Sequence, residues 1–212
     1  MNTVIKSYAV NTAANAPGAI GGIDEAGRGP LAGPVVAAIV VLSAQQQIDG
    51  VRDSKQLTPR RRTVLSAEIK NQAVAWSIAM ADVAEIDTLN ILHATMLAMR
   101  RAVEQLDCLP DELRVDGNRS PDLPGYSGQI TPLVGGDRIC MAISAASILA
   151  KVARDELMLE LDNTHPNYGF AQHKGYPTAQ HREALLQFGP CSAHRLSFAP
   201  VRKAIAAGNP CP

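Results

Sequence analysis

Two adjacent carboxylates, Asp24 and Glu25, are followed at once by Gly27, Arg28 and Gly29. Adjacent strand residues point to opposite sides, so both acids can serve one metal ion only if the strand ends here or a backbone carbonyl also binds. The glycines let the backbone approach a ligand, and the planar arginine cation suits a phosphate. The motif therefore indicates a site for a phosphodiester and a divalent metal. If the motif is considered alone, the alternative is that Asp24 and Glu25 belong to a glycine-containing turn.

Three further carboxylates extend this chemistry. Asp116 precedes a Gly-Asn turn, Asp137 follows Gly-Gly, and Asp155 lies on a predicted helix. On that helix Ser147, Lys151 and Asp155 are spaced four residues apart and share one face. Acids at strand ends without accompanying His or Cys suit Mg²⁺ or Mn²⁺ rather than Zn²⁺. Turn chemistry at Asp116 and Asp137, and a surface ion pair at Asp155, remain the alternatives.

The elements that must position these acids follow from the apolar patterning. The order of strands and helices predicts an α/β domain with a mixed sheet. It contains neither a dinucleotide-binding glycine fingerprint nor a P-loop. Strands are predicted over 19–24, 34–42, 73–81, 112–116 and 129–134, and helices over 59–71, 82–105, 143–161, 179–188 and a last short segment to Ala207.

Composition restricts the class of protein. The 212 residues are 46% hydrophobic and 19% charged, which fits one globular domain over 19–212 behind a flexible tail over 1–18. The zero net charge argues against a protein that coats nucleic acid nonspecifically. No signal peptide and no membrane segment are evident, and the four cysteines form no Cys-x-x-Cys pair. We expect a cytoplasmic protein with free thiols and no membrane contact.

The acidic motif resembles a known family. The run Gly21–Pro34 contains Asp-Glu-Ala-Gly-Arg-Gly-Pro, which is similar to the signature of type 2 ribonucleases H, and specifically of bacterial ribonuclease HII. The segments 53–55 (DSK), 145–155 (AASILAKVARD) and 173–177 (HKGYP) also resemble that family. The resemblance runs from about Gly21 to Arg202, and no long N-terminal extension of the type HIII kind is present.

The resemblance implies a ribonuclease H-like fold with a helical C-terminal region and with the second and third strands antiparallel. It implies an endonuclease, expected as a monomer, that cuts the RNA strand of RNA–DNA hybrids. The same enzyme would nick duplex DNA 5′ to an embedded ribonucleotide, leaving 3′-OH and 5′-phosphate ends. Two Mg²⁺ or Mn²⁺ ions would be held by four acids: Asp24, Glu25, Asp116 and Asp137. Asp155 would be an accessory acid near the second ion.

The resemblance also assigns substrate contacts. Gly27, Arg28 and Gly29 would contact the ribose 2′-OH, the group that distinguishes RNA from DNA. Tyr176 would pack on the sugar at the DNA side of the junction, although the sequence does not rank it above Tyr168. Further substrate contacts would come from five residues: Ser54, Lys55, Ser147, Lys151 and Lys174.

Two other functions are compatible with the motifs. The first is a related metal nuclease, such as a type HIII enzyme or a junction resolvase. The second is a hybrid-binding module without catalysis, against which the complete set of acids argues.

Overall fold

The computed structural model describes residues 18–51 and 57–206, which form a five-stranded mixed sheet in the order β3-β2-β1-β4-β5. β1 pairs antiparallel with β2 and β2 antiparallel with β3, whereas β1–β4 and β4–β5 are parallel. The predicted mixed sheet and its antiparallel second and third strands are confirmed. The strands are β1 (Ile20–Ala26), β2 (Val35–Leu42), β3 (Ala75–Ala81), β4 (Glu112–Asp116) and β5 (Gln129–Leu133).

Seven helices accompany the sheet in the described ranges. The N-terminus of the first is stabilised by Thr58, whose side chain accepts a hydrogen bond from the Arg61 amide, as its position before Pro59 predicts. The third and fifth helices are single turns that the apolar pattern did not predict. The helices are α1 (Pro59–Gln72), α2 (Val83–Glu104), α3 (Gly136–Ile139), α4 (Met141–Thr164), α5 (Phe170–His173), α6 (Ala179–Phe188) and α7 (Ala199–Ala206).

Helix α2 is not the continuous helix predicted over 82–105. Asn90 interrupts it with φ 66° and ψ 163°, a conformation rare for any residue other than glycine. The Asn90 carboxamide oxygen accepts hydrogen bonds from the amides of Leu92 at 3.0 Å and His93 at 3.3 Å, and so caps the second half. The apolar spacing continues across this break, so periodicity alone did not reveal it.

The sheet is covered on both faces. One face of β2 packs against α4, which α1 covers in turn, and the other face packs against α2. A strand buried on both faces reads as a continuous apolar run, as residues 35–42 do. Each fully buried Val or Ile side chain contributes about 1.5–3 kcal/mol to the stability of the fold. The first face carries Val36, Ala38 and Val40, and the second carries Val35, Ala37, Ile39 and Val41.

A close helix–strand approach places α4 beside the acids. A Cβ at Gly22 would lie 2.1 Å from the backbone carbon of Ala142, so only glycine allows α4 to start against β1. This contact lies two residues before Asp24. It therefore sets the distance between the first acid and the helix face that carries Ser147 and Lys151.

Several predictions concern parts of the chain outside the described residues. The predicted tail, except Gly18, and the predicted phosphate contacts Ser54 and Lys55 lie there, as does Cys211. The three cysteines within the described residues form no disulfide. Across residues 18–51 and 57–206, no helix has the length and apolar character needed to cross a membrane.

Candidate active site

Asp24 and Asp116 meet at one edge of the sheet because the strands that carry them, β1 and β4, are parallel. Ile23 of β1 pairs with Val115 of β4, so Asp24 and Asp116 follow side by side at the carboxyl ends. Both line a cavity of about 260 Å³. We call it the acidic cavity, and its walls are Asp24, Glu25, Ala26, Gly27, Arg28, Gly29, Asp116, Ser147, Lys151 and Tyr176.

Burial dominates the electrostatics of the acidic cavity. Burial, and then repulsion from Glu25, raises the pKa of Asp24 well above its usual value, although a hydrogen bond from Ser147 opposes this. Burial also raises the pKa of Glu25, and the guanidinium of Arg28, 3.3 Å away, opposes that shift. The ionised acids are therefore disfavoured here without further positive charge. A bound cation would restore the ionised forms.

The first strand was predicted to end at Asp24, but β1 continues through Glu25 to Ala26. Asp24 and Glu25 therefore leave β1 on opposite sides, although both line the cavity. The Glu25 side chain turns to Arg28, and its amide donates to the Asp24 carboxylate at 2.7 Å. Glu25 could therefore share an ion with Asp24 through its backbone carbonyl, or through its carboxylate once that side chain leaves Arg28.

Asp137 is not among the residues that line the cavity. The Asp116 carboxylate accepts a hydrogen bond from the Gly136 amide at 2.7 Å, which joins β4 to the start of α3. Asp137 follows directly and is 3% exposed, with one carboxylate oxygen 3.9 Å from Nε of Arg138. The structure therefore places Asp137 one residue from the Asp116 contact, without bringing its carboxylate into the cavity.

Asp155 is also absent from the cavity wall. Its carboxylate accepts a hydrogen bond from Nζ of Lys151 at 2.6 Å and lies 3.7 Å from a guanidinium nitrogen of Arg62. The predicted shared face of α4 therefore contributes Ser147 and Lys151 to the cavity and uses Asp155 to orient Lys151. Three of the five predicted acids line the cavity together.

The carboxylates of the acidic cavity fit Mg²⁺ or Mn²⁺ as a site with few protein ligands. Within the described ranges, no three or more His, Cys, Asp or Glu side chains are already placed together as ligands of one metal ion. Mg²⁺ usually takes one or two carboxylates and completes its shell with water and substrate phosphate. Asp24 and Asp116, at neighbouring strand ends, meet that lesser requirement, and their oxygen ligands suit these hard cations.

Two buried arginines position the glycine loop, residues 27–33, and sequence reasoning missed both. Arg195 is fully buried and donates five hydrogen bonds to backbone carbonyl oxygens, those of Gly27, Arg28, Pro30, Gly33 and Pro34. Arg154 donates three more, to the carbonyl oxygens of Ala32, Pro34 and Lys174. Burial lowers the pKa of Arg195 to about 9 and that of Arg154 to about 10, so both stay charged at neutral pH.

Glycine is required where these arginines approach the loop. Gly27 has φ 101°, and a Cβ there would lie 2.0 Å from Nε of Arg154. The close approach that requires glycine at position 27 is therefore to the Arg154 guanidinium, and an approach of the loop backbone to a ligand stays a prediction. The signal in the sequence was only that Arg154 belongs to the family-like segment 145–155 and that Arg195 lies within the span of the resemblance, Gly21 to Arg202.

The structure distinguishes the two candidate tyrosines. Tyr176 is 44% exposed and lines the acidic cavity, whereas Tyr168 is 6% exposed and stacks on Phe170 with ring centroids 5.4 Å apart. Lys174 does not reach the cavity. Its ammonium donates to the carbonyl oxygen of Ala171 at 2.7 Å, and partial burial lowers its pKa.

The mixed sheet, with acids at the ends of adjacent parallel strands, defines a ribonuclease H-like hydrolase. Residues 21–201 match the sequence model of the family described as Ribonuclease HII. A ribonuclease HII from Polaromonas sp. (strain JS666 / ATCC BAA-500) is 56% identical over 189 residues, which cover 89% of this chain and 94% of that relative. The chain belongs to the ribonuclease HII family and is a ribonuclease H, which supports activity on RNA–DNA hybrids.

Solved structures agree with this fold. The ribonuclease H2 from Pyrococcus horikoshii OT3 superposes with a TM-score of 0.73 at 28% identity, over 88% of this chain and 96% of that one. The ribonuclease HII of a PCNA complex from Archaeoglobus fulgidus gives 0.73 at 25% identity, over 87% and 96%. Bst ribonuclease HIII in complex with Mn²⁺ gives 0.71 at 20% identity, over 93% and 73%, and this likeness concerns the fold alone.

Proposed function

We propose that this ribonuclease H cleaves the RNA strand of RNA–DNA hybrids and nicks duplex DNA on the 5′ side of a single embedded ribonucleotide. The products would carry 3′-OH and 5′-phosphate ends. One observation carries the proposal: the acidic cavity is walled by Asp24 and Asp116, by the glycine loop and by Tyr176. A scissile phosphate, a ribose and the next sugar can therefore be contacted at one place.

The acids supply the metal-binding part of the proposal. Two Mg²⁺ or Mn²⁺ ions held by Asp24, Glu25, Asp116 and Asp137 would lower the pKa of the attacking water and stabilise the leaving 3′ oxygen. Asp24 and Asp116 already face the cavity. Asp137 is one residue from the Gly136–Asp116 contact, and Asp155 remains a candidate accessory ligand through its bond with Lys151.

The glycine loop and Tyr176 supply the specificity. We assign the ribose 2′-OH to the backbone of Gly27, Arg28 and Gly29, because this hydroxyl both donates and accepts hydrogen bonds. The half-exposed ring of Tyr176 would pack against the following deoxyribose. A 2′-OH at that sugar would crowd the ring, so the site favours a ribonucleotide followed by DNA.

Cationic side chains would bind the phosphates. Arg28 is half exposed, and Lys151 lines the same cavity. Ser147 hydrogen-bonds to Asp24, so its proposed role is to hold that acid beside the scissile phosphate. Lys174 would act only after its ammonium leaves the Ala171 carbonyl. Neutralising phosphate charge in this way makes binding dependent on salt.

A panel of labelled duplexes tests the proposal. It contains an all-DNA duplex, the same duplex with one ribonucleotide, an RNA–DNA hybrid and a four-way DNA junction. We expect cleavage of the second and third only. Cleavage of the hybrid alone would remove the single-ribonucleotide specificity. Cleavage of the junction would favour a resolvase, and binding without turnover would indicate a non-catalytic module.

A further inference from the structure

The C-terminal region buries three histidines outside the acidic cavity, and we call them the histidine chain: His173, His181 and His194. The rings of His173 and His181 stack with centroids 4.4 Å apart and an angle of 12° between their planes. Nε2 of His181 lies 3.1 Å from Nε2 of His194. Three imidazoles in contact inside a protein cannot all carry charge, so their protons must be ordered.

The hydrogen-bond partners fix the tautomers of His181 and His194. Nδ1 of His181 lies 2.9 Å from the carbonyl oxygen of Tyr176, which only accepts, so Nδ1 carries the proton. Nε2 of the neutral His181 ring must then accept the proton of His194 Nε2. Nδ1 of His194 accepts in turn from the Cys191 amide at 3.0 Å. Every ring nitrogen in this sequence of bonds has one role.

The third imidazole obeys the same logic. Nε2 of His173 lies 2.7 Å from the carbonyl oxygen of Tyr168, so it donates. Nδ1 therefore accepts, and the Gly175 amide points to it at 3.2 Å. The Gly175 carbonyl oxygen accepts from the Leu31 amide at 2.8 Å. The histidine chain is thus bonded to Gly175 and Tyr176, and Gly175 is bonded to the glycine loop.

From this arrangement we infer that His181, supported by His173 and His194, is a positioning residue that fixes Tyr176 against the glycine loop only while the rings of His181 and His194 are neutral. An added proton on either ring would place two donors face to face, because each accepting nitrogen already receives an N–H. The inference rests on the proposed role of Tyr176 at the sugar.

The surroundings of His181 and His194 oppose protonation. Burial lowers the pKa of His181 to about 4, with the neighbouring His173 adding to the shift. Burial lowers the pKa of His194 to about 3, with three other imidazoles adding to the shift. The titratable groups that face the two rings are imidazoles, a phenol and a thiol: His165, Tyr168, His173 and Cys191.

Long-range proton–nitrogen correlation spectra of the full chain test the geometry without any substitution. We expect His181 as the Nδ1–H tautomer and His173 and His194 as Nε2–H tautomers. The signals of His181 and His194 should stay those of neutral rings when the pH is lowered through about 6.5, where unperturbed histidines gain a proton. Opposite tautomers, or protonation of either ring near that pH, would overturn the inference.

Two substitutions at His181 test its positioning role. His181→Leu removes the donor to Tyr176, whereas His181→Asn can place an amide N–H near the position of Nδ1. On a duplex with one ribonucleotide we expect His181→Leu to lower kcat/KM about tenfold, the effect of one lost hydrogen bond, mainly through KM. His181→Asn should stay within about threefold of wild type. The exposed His93→Asn is the matched control.

The outcomes separate this inference from the proposed function. If the wild-type enzyme cuts an RNA–DNA hybrid but not the single-ribonucleotide duplex, the proposed function fails while the spectra still test the histidine chain. If the wild type cuts both, and folded His181→Leu does so with unchanged KM, the histidines serve stability alone and the inference is overturned. Circular dichroism gives the folded fraction for each variant.

Discussion

A guanidinium nitrogen of Arg195 lies 2.6 Å from the carbonyl oxygen of Gly27 and joins the C-terminal region to the glycine loop. Arg195 binds four further carbonyl oxygens between Arg28 and Pro34. Because the peptide bond is planar, fixing a carbonyl also fixes the N–H of the next residue. The loop is therefore oriented before any substrate arrives.

Arg195→Lys should weaken this arrangement. A lysine has three donors on one nitrogen and cannot reach five carbonyls spread over the loop. We expect the free energy of unfolding to fall by about 3 kcal/mol and kcat/KM to fall about tenfold or more. Chemical denaturation and steady-state kinetics measure both. The exposed Arg182→Lys is the control, and an Arg195→Lys enzyme equal to it would contradict the role of the buried guanidinium.

Asp116→Asn should separate chemistry from folding. The asparagine oxygen can still accept from the Gly136 amide, so the free energy of unfolding should change by no more than about 1 kcal/mol. Loss of a charged ligand should lower cleavage by at least about a thousandfold. The exposed Asp122→Asn should leave both unchanged. Near-wild-type turnover of Asp116→Asn would show that Asp116 does not bind the metal.

Tyr176 can be tested by keeping or removing its ring. Tyr176→Ala should raise KM on the single-ribonucleotide duplex about tenfold, since aromatic packing on a nucleotide contributes about 1–3 kcal/mol. Tyr176→Phe keeps the ring and should stay within about twofold. Titrations of initial rate against duplex concentration measure both constants. Equal KM values for the two variants would mean that the ring does not contact substrate.

His181 and His194 also predict a pH dependence of stability. Their pKa values are lower in the folded chain than unfolded, so between about 6.5 and 4 the unfolded state binds more protons and stability falls as the pH falls. Each histidine can contribute about 1.4 kcal/mol per pH unit. The raised pKa values of Asp24 and Glu25 contribute the opposite slope, because there the folded state binds more protons.

Comparing variants isolates the histidine contribution. His181→Asn removes one titrating imidazole, so its unfolding free energy should depend less steeply on pH than that of the wild type over the same window. The slope should differ by about 1.4 kcal/mol per pH unit. His93→Asn should run parallel to the wild type. Urea denaturation across the pH range gives the curves, and parallel curves for wild type and His181→Asn would refute the buried neutral state.

Local and periodic signals predicted most of the fold. The apolar run that became β2, the Thr58–Pro59 helix start and the strand ending at Asp116 all lie where the sequence placed them. The break at Asn90 was missed because the side chain caps its own helix without disturbing the apolar spacing. The single turns α3 and α5 were too short to show a period.

The sequence predicted the acids that line the cavity, but it did not predict the buried arginine that holds the glycine loop. Asp24, Glu25 and Asp116 line one cavity because parallel strands end together, a relationship that strand patterning can reveal. Charged residues are placed on the surface by default, so the buried Arg195 could not be foreseen. Its Gly27 acceptor lies 168 positions away in the chain, and only the folded structure joins them.

The position of the nick in an end-labelled DNA duplex that contains one ribonucleotide tests the proposed function of the acidic cavity. The reaction is run with Mg²⁺, with Mn²⁺ and with a chelator, and the product is sized to one nucleotide. The proposed function predicts a metal-dependent nick on the 5′ side of the ribonucleotide that leaves a 3′-OH. A nick elsewhere, or one that persists in chelator, would contradict the proposal that the acidic cavity binds the ribose and the metal-bound scissile phosphate together.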